Sequence, residues 1–302
     1  MTKKKKLKIK KKNFTIFIIF LILICFCFTG LTSLIIRNFS NEKTKSDEKT
    51  FTNNKDLSEK DKKLKKLGNI NKKISYFKMS NLDRYITYKE KNNSLSNTQI
   101  IKDVNMDLDK DPYTDMKEAK NLNKINILVN KHNYLKENYV PNNLEQIDTK
   151  YALSNMSLVN TAKYAFENMS KEANKENLKI IAMSTYRSYE YQVNLYNNYA
   201  KSDGKAAADT YSGRPGNSEH QTGLAVDVYN QDETYTNFEK TEEYIWMQDN
   251  AYKYGFILRF PKGKEKETGY EFESWHYRYV GKNIAKIIKE NNISLEEYIA
   301  TH

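Results

Sequence analysis

One apolar run dominates the first part of the chain. Phe14 to Ile36 continues for 23 residues without a charge, about the length that carries one helix across a bilayer. Residues 37–74 are mostly Lys, Asn, Asp, Glu, Ser and Thr with sparse apolar positions. Such a composition cannot bury enough surface to order itself, so the stretch reads as a flexible tether. From 75 onward apolar positions recur with helical spacing. Ser80-Asn81-Leu82-Asp83 and Ser96-Asn97-Thr98-Gln99 each place a hydroxyl three residues ahead of an acid or amide, the capping-box pattern. They predict two short helices, one burying Leu82, Tyr85 and Ile86, the other Ile100, Ile101 and Val104. Asp111-Pro112 marks a turn, and 75–120 reads as a helical segment ahead of the main domain.

Residues 121–302 carry the pattern of a compact domain. Ile125 to Val129 is a strand candidate. Leu158, Ala162, Ala165, Phe166 and Met169 fall on one helical face, which predicts an amphipathic helix over 156–173. Leu178 to Met183 reads as a buried strand and Tyr189 to Ala200 as a helix. Leu224–Val228 and Trp275–Tyr279 read as strands, separated by a helix ending at Gly255 and a turn around Gly263. Closing helices run from Lys282 to Glu290 and, after the Ser294–Glu297 capping box, to the end. Eight of the ten glycines lie beyond residue 200, so tight turns concentrate there. Strands separated by helices and long loops, without regular βαβ alternation, predict an α+β fold with a small antiparallel sheet flanked by helices.

Charge distribution changes the picture more than composition does. The chain of 302 residues carries a net charge of +12, which taken alone suggests nucleic acid. Residues 1–120, however, carry 28 Lys+Arg and 14 Asp+Glu, whereas 121–302 carry 22 and 24. The later domain therefore has no general attraction for phosphate backbones, and no nucleic-acid partner is expected. Eight of the first twelve residues are lysine. A basic tail over 1–13, an anchor over 14–36 and only Arg37 just after it place the N-terminus in the cytoplasm and the rest outside, as a single-pass cell-membrane protein. The rival is a cleaved signal peptide, whose apolar region should span roughly 7–15 residues and end in small residues. Leu31–Ile36 does not have that ending. Cys25 and Cys27 both fall inside the run, so the exported part has no disulfide and no cysteine nucleophile.

Candidate chemistry sits in two short stretches. Ser218-Glu219-His220-Gln221-Thr222-Gly223-Leu224-Ala225-Val226-Asp227 holds His220 and Asp227; Glu273-Ser274-Trp275-His276-Tyr277-Arg278 holds Glu273 and His276. Two imidazoles and a carboxylate make a three-ligand set for zinc with its fourth position free. A further carboxylate alongside would serve as general base. Along Leu224–Val228 a period of two sends Ala225 and Asp227 to one face and Leu224, Val226 and Val228 to the other. Gly223 gives a sharp entry that lets His220 fold back beside Asp227. Glu273 and His276 are three apart, so Glu273 must precede the strand proper to reach the same site. The bland alternatives stand beside this: a satisfied core histidine, a buried carboxylate held by amides, a strand-edge charge. His132 and His302 lack acidic or glycine-rich company and read as structural or solvent-exposed.

Ser-x-His-x-x-Gly-x-Ala-x-Asp followed about fifty residues later by Glu-x-Trp-His resembles the VanY-type D-alanyl-D-alanine carboxypeptidases, zinc peptidases that share a fold with the hedgehog signalling domain. Ser184-Thr185-Tyr186-Arg187-Ser188-Tyr189-Glu190-Tyr191-Gln192 is similar to the family's arginine motif, and Ser212-Gly213-Arg214-Pro215-Gly216-Asn217 leads into the zinc motif as in family members. Asn81–Lys91 and Val129-Asn130-Lys131 extend the likeness to roughly 80–302. The resemblance implies one zinc ion held by His220, Asp227 and His276. It implies Glu273 as the base, Arg187 as the stabiliser of the anionic intermediate, and Gln192 and Ser218 as groups that orient the peptide end. It implies, in turn, removal of the terminal D-Ala from peptidoglycan stem peptides. An L,D-carboxypeptidase acting on tetrapeptide stems and a non-catalytic zinc-fold wall-binding module are the alternatives; intact Glu273 and Arg187 favour an enzyme.

Overall fold

The computed structural model describes residues 59, 61–65, 67, 73–231 and 235–302. The chain divides into two compact units, Met1–Gly68 and Asn69–His302. In the first, residues 61–65 are helical, a short ordered piece within a stretch whose composition predicted none. The predicted anchor Phe14–Ile36 and the basic tail lie outside the described residues. Among those described, no helix is long and apolar enough to cross a membrane.

The second unit opens with two helices, α1 (Leu82–Lys91) and α2 (Asn97–Asn105). Ser96 caps α2 as its sequence predicts, accepting from the Gln99 amide. Ser80 does not cap α1; Met79–Asn81 forms a 3₁₀ turn instead and α1 follows it directly. Arg84 on α1 reaches back to Asp107 and Asp109, beyond the end of α2, and locks the pair.

Two small two-stranded sheets come next, β1 (Lys117–Glu118) with β2 (Asn133–Tyr134) and β3 (Leu144–Gln146) with β4 (Ser157–Val159). The main sheet is four-stranded and antiparallel throughout. Its order is β5 (Ile181–Ser184), β6 (Ala225–Tyr229), β8 (His276–Tyr279), β7 (Phe256–Leu258). Helix α3 (Asn160–Asn174) packs one face. Phe166 and Met169 on α3 join Ala182, Val226, Val228, Phe256 and Tyr277 in one core cluster. Each large side chain so buried contributes about 1.5–3 kcal/mol. Helices α4 (Tyr189–Ser202), α5 (Lys205–Tyr211) and α6 (Glu242–Asn250) link the strands, and α7 (Glu265–Thr268) follows β7. α8 (Lys282–Asn291) and α9 (Leu295–Thr301) close the chain, with Leu295 and Ile288 packed on Ile257 and Val280.

The α+β class and the antiparallel sheet accord with the sequence, but several elements differ. The helix predicted over 156–173 starts at Asn160, because Ser157–Val159 pairs with Leu144–Gln146 as a strand. Ile125–Val129 is buried at Ile127 and Val129 yet forms no strand. The Arg278 guanidinium satisfies the carbonyls of Ile125 and Ile127 where a strand would use a ladder. The edge strand β7 has no counterpart among the predicted elements, since Phe256–Leu258 is only three residues long.

Candidate active site

The side of the sheet away from α3 carries the chemistry. Antiparallel register sets Asp227 of β6 directly opposite Ser184 of β5 and opposite His276 of β8. Ala225 and Arg278 form the next pair, so the period of two read from sequence holds. His220 arrives through the 3₁₀ turn Glu219–Thr222. Gly223 ends that turn in the left-handed region at φ 66°, and a Cβ there would lie 2.8 Å from Leu144 Cδ2. Both the conformation and the close approach require glycine. The turn brings His220 Nε2 to 3.3 Å from Asp227 Oδ2.

The three groups meet almost dry. His220, Asp227 and His276 are 3%, 4% and 5% exposed, and one ligand atom from each lies within 4.8 Å of the others. The imidazole rings stand edge to face at 4.9 Å. His220 Nδ1 is 2.7 Å from the Thr185 carbonyl. A carbonyl only accepts, so Nδ1 carries the proton and Nε2 presents its lone pair to the centre. Asp227 Oδ1 lies 3.1 Å from His276 Nδ1, yet it is buried with no hydrogen-bond partner. An orphaned carboxylate oxygen beside an imidazole nitrogen is costly unless a cation completes it. The donor set of two nitrogens and a carboxylate fits zinc.

Glu273 sits where the spacing argument required, in the coil before β8. Its backbone amide donates to the Phe260 carbonyl at 3.1 Å, which fixes the coil in place. Its carboxylate lies 3.5 Å from His276 Nδ1 and outside the three-donor set. Burial, with the Asp227 charge adding to it and His276 opposing, pushes its pKa up to about 8. Burial lowers His220 to about 4, helped by the Arg187 charge. For His276 burial is outweighed by Asp227 and Glu219, which with Glu273 raise it to about 9. Asp227 is held well below the carboxylate range, against burial, by the two histidines and Arg187.

Arg187 follows β5 and points across the centre. It donates to Asp227 Oδ2 at 2.7 Å and to Ser184 Oγ at 3.0 Å, and its Nη2 is 3.1 Å from His220 Nε2. Gln192 on the first turn of α4 is buried; its amide donates to the Gly213 carbonyl at 2.7 Å, and its oxygen accepts from Arg187 at 3.4 Å. Ser218 lines the same cleft, which measures about 470 Å³ and is walled by Tyr191, Tyr199, Tyr211, Tyr235, Tyr270 and Trp275. All seven residues singled out from sequence therefore converge. His132 and His302 do not join them: neither lines the cleft, and His302 stacks on Tyr298. Sequence reasoning did not single out Glu219, which stood inside the quoted motif and lies 3.7 Å from His276 Nε2, or Arg259, which donates to it and which no local pattern marked.

Comparison with known proteins places this geometry. The VanY family, described as D-alanyl-D-alanine carboxypeptidase, matches residues 155–282. The Bacillus subtilis (strain 168) protein YodJ, a putative carboxypeptidase by name, is 40% identical over 216 residues, covering 67% of this chain and 78% of that protein. The chain belongs to the VanY family of carboxypeptidases. As a family member it is a carboxypeptidase, a hydrolase. The solved LdcB LD-carboxypeptidase, described for peptidoglycan recognition, matches with a TM-score of 0.58 and 39% identity, over 62% of this chain and 91% of that one. A mutant of the vancomycin-resistance D,D-pentapeptidase VanY in complex with Zn(II) matches with a TM-score of 0.50 and 34% identity, over 58% and 98% of the two chains.

Proposed function

We propose that this carboxypeptidase is zinc-dependent and removes the terminal D-Ala from peptidoglycan stem peptides on the outer side of the cell membrane. The observation that carries the reading is the division of labour among buried groups: three donors converge, while the Glu273 carboxyl stands beside them with a raised pKa and Arg187 faces them from the end of β5. His220, Asp227 and His276 would hold one zinc ion. When bound, zinc supplies Lewis-acid polarisation of a carbonyl and lowers the pKa of water to about 7.

The chain's own residues then divide the remaining work. Glu273 takes the proton of the attacking water on its carboxylate and passes it to the leaving amine of D-Ala. A carboxyl raised by burial suits both halves of that transfer near neutral pH. Arg187 presents a guanidinium to the oxygen that becomes negative, an interaction stronger in the transition state than in the ground state. Gln192 fixes the Arg187 fork and the Ser212–Gly213 loop, and Ser218 on the cleft wall orients the peptide end. Zinc in the related D,D-pentapeptidase VanY structure supports the cofactor. The lysine-flanked uncharged run Phe14–Ile36 supports membrane anchoring with the catalytic unit outside.

L,D activity on tetrapeptide stems is the second reading, favoured by the 39% identity to the LdcB LD-carboxypeptidase. Purified zinc-loaded protein, given pentapeptide and tetrapeptide stems separately, decides between them. Release of D-Ala from the pentapeptide alone is the expected result. Release from the tetrapeptide alone establishes the L,D reading, and release from neither overturns both.

A further inference from the structure

Beside His276, four charged side chains are buried together, with Glu219 also lining the cleft. Arg259 and Arg278 are 1% and 0% exposed, Glu219 and Glu296 4% and 1%. Glu219 Oε1 accepts from Arg259 Nε and from Arg278 Nη1, both at 2.8 Å. Arg259 turns its other two nitrogens to Glu296 of α9, at 2.9 and 2.6 Å. Arg278 spends its remaining donors on the carbonyls of Ile125, Ile127 and Tyr279. The quartet balances in charge. Such buried ion clusters are often no more stabilising than apolar residues of the same size, so stability alone does not account for it.

The second oxygen of Glu219 is the informative atom. Oε2 is buried without a hydrogen-bond partner, and so is His276 Nε2. The two orphans face each other at 3.7 Å, slightly beyond hydrogen-bond length. The His276 ring has little freedom, with Phe260 at 4.8 Å and His220 at 4.9 Å between centroids. The opposite ring nitrogen, Nδ1, is the one beside Asp227.

We propose that Glu219 is a positioning residue for His276: its free oxygen receives the Nε2 proton, which leaves the Nδ1 lone pair on the metal side, and the two arginines fix the carboxylate for that task. Arg259 and Glu296 carry the support outward to the C-terminal helix. The inference rests on the zinc reading of the site. It also defines what an amide in place of the carboxylate would do. With the amide oxygen still claimed by both arginines, the amide nitrogen faces His276 Nε2 and offers a proton where one must be accepted. The ring then keeps its proton on Nδ1 and loses its ligand atom.

The test measures zinc affinity of the full chain in detergent, by competition with a chromogenic chelator, for the unaltered protein, Glu219→Gln and Glu296→Gln. Glu296 touches Arg259 and not His276, so its variant reports the structural share. Glu219→Gln is expected to weaken zinc binding about 10–100-fold, with Glu296→Gln losing thermal stability but not zinc affinity. Equal weakening in both, or none in Glu219→Gln, overturns the positioning role while leaving the zinc site standing. No zinc bound by the unaltered chain removes the site and the proposal together. Should Glu219→Gln fail to fold, nitrogen-15 NMR of the unaltered zinc-loaded chain, which has only four histidines, still decides. A proton on His276 Nε2 supports the proposal, and a proton on Nδ1 overturns it.

Discussion

Replacing Glu273 by glutamine should make the metal-free protein more stable while destroying its activity. Glu273 is 6% exposed, and burial foremost raises its pKa from 4.5 to about 8. A carboxyl whose folded pKa lies above its unfolded one favours the folded state most below about pH 4.5, and that advantage is lost as pH rises toward about 8. At pH 7 the folded chain has resisted ionisation over about 2.5 pH units, which at about 1.4 kcal/mol per unit amounts to about 3 kcal/mol. Glutamine has nearly the same shape and no such penalty. Urea unfolding of chelator-stripped protein should therefore show Glu273→Gln ahead by about 3 kcal/mol at pH 7 and by less than about 1 kcal/mol at pH 5. Reloaded with zinc, the variant should keep its metal content and lose roughly 10²–10⁴-fold in rate. A variant less stable than the parent at pH 7, or an advantage that does not grow with pH, would refute the reasoning, because the carboxylate would then be at home as a charge.

Three further outcomes follow from the same geometry. His276 is protonated below about 9 in the metal-free chain, so zinc must displace that proton; calorimetry in buffers of different ionisation heat should show proton release at neutral pH, and affinity should rise with pH until about 9. Gly223→Ala forces a methyl to 2.8 Å from Leu144 and 3.1 Å from Val159 at a left-handed φ; a loss of about 1–3 kcal/mol in denaturant should accompany reduced zinc retention, since the turn aims His220 at Asp227. Arg187→Lys keeps a charge but loses the fork that spans Ser184, Gln192 and Asp227; kcat should fall by about 10²–10³ with a smaller change in KM, and an unchanged kcat would remove Arg187 from the transition state.

The site was more legible in the chain than the fold around it. Asp227 and His276 lie on strands where a period of two assigns faces, and the antiparallel register then makes them neighbours. His220 depended on one glycine, whose position announced the turn. The three-residue gap from Glu273 to His276 forced Glu273 out of the strand, and it stands in the coil before β8. Where partners are distant in sequence, local pattern carried no information. Ile125–Val129 has the apolar content of a strand, but Arg278, about 150 residues later, takes its carbonyls. Ser157–Val159 has the spacing of the helix it precedes and pairs with Leu144–Gln146 instead. Arg259 and Glu296 are charges at the ends of short elements, and only the folded chain shows that they are buried against each other.

The central claim is that three residues hold the metal and a fourth, standing beside them, does not. Crystallographic data collected on either side of the zinc absorption edge test it directly. The expected result is one anomalous peak per chain, bonded to His220 Nε2, the Asp227 carboxylate and His276 Nδ1 at about 2.0–2.2 Å, with Glu273 outside bonding distance. A peak bonded to Glu273, or one placed away from Asp227, would contradict it.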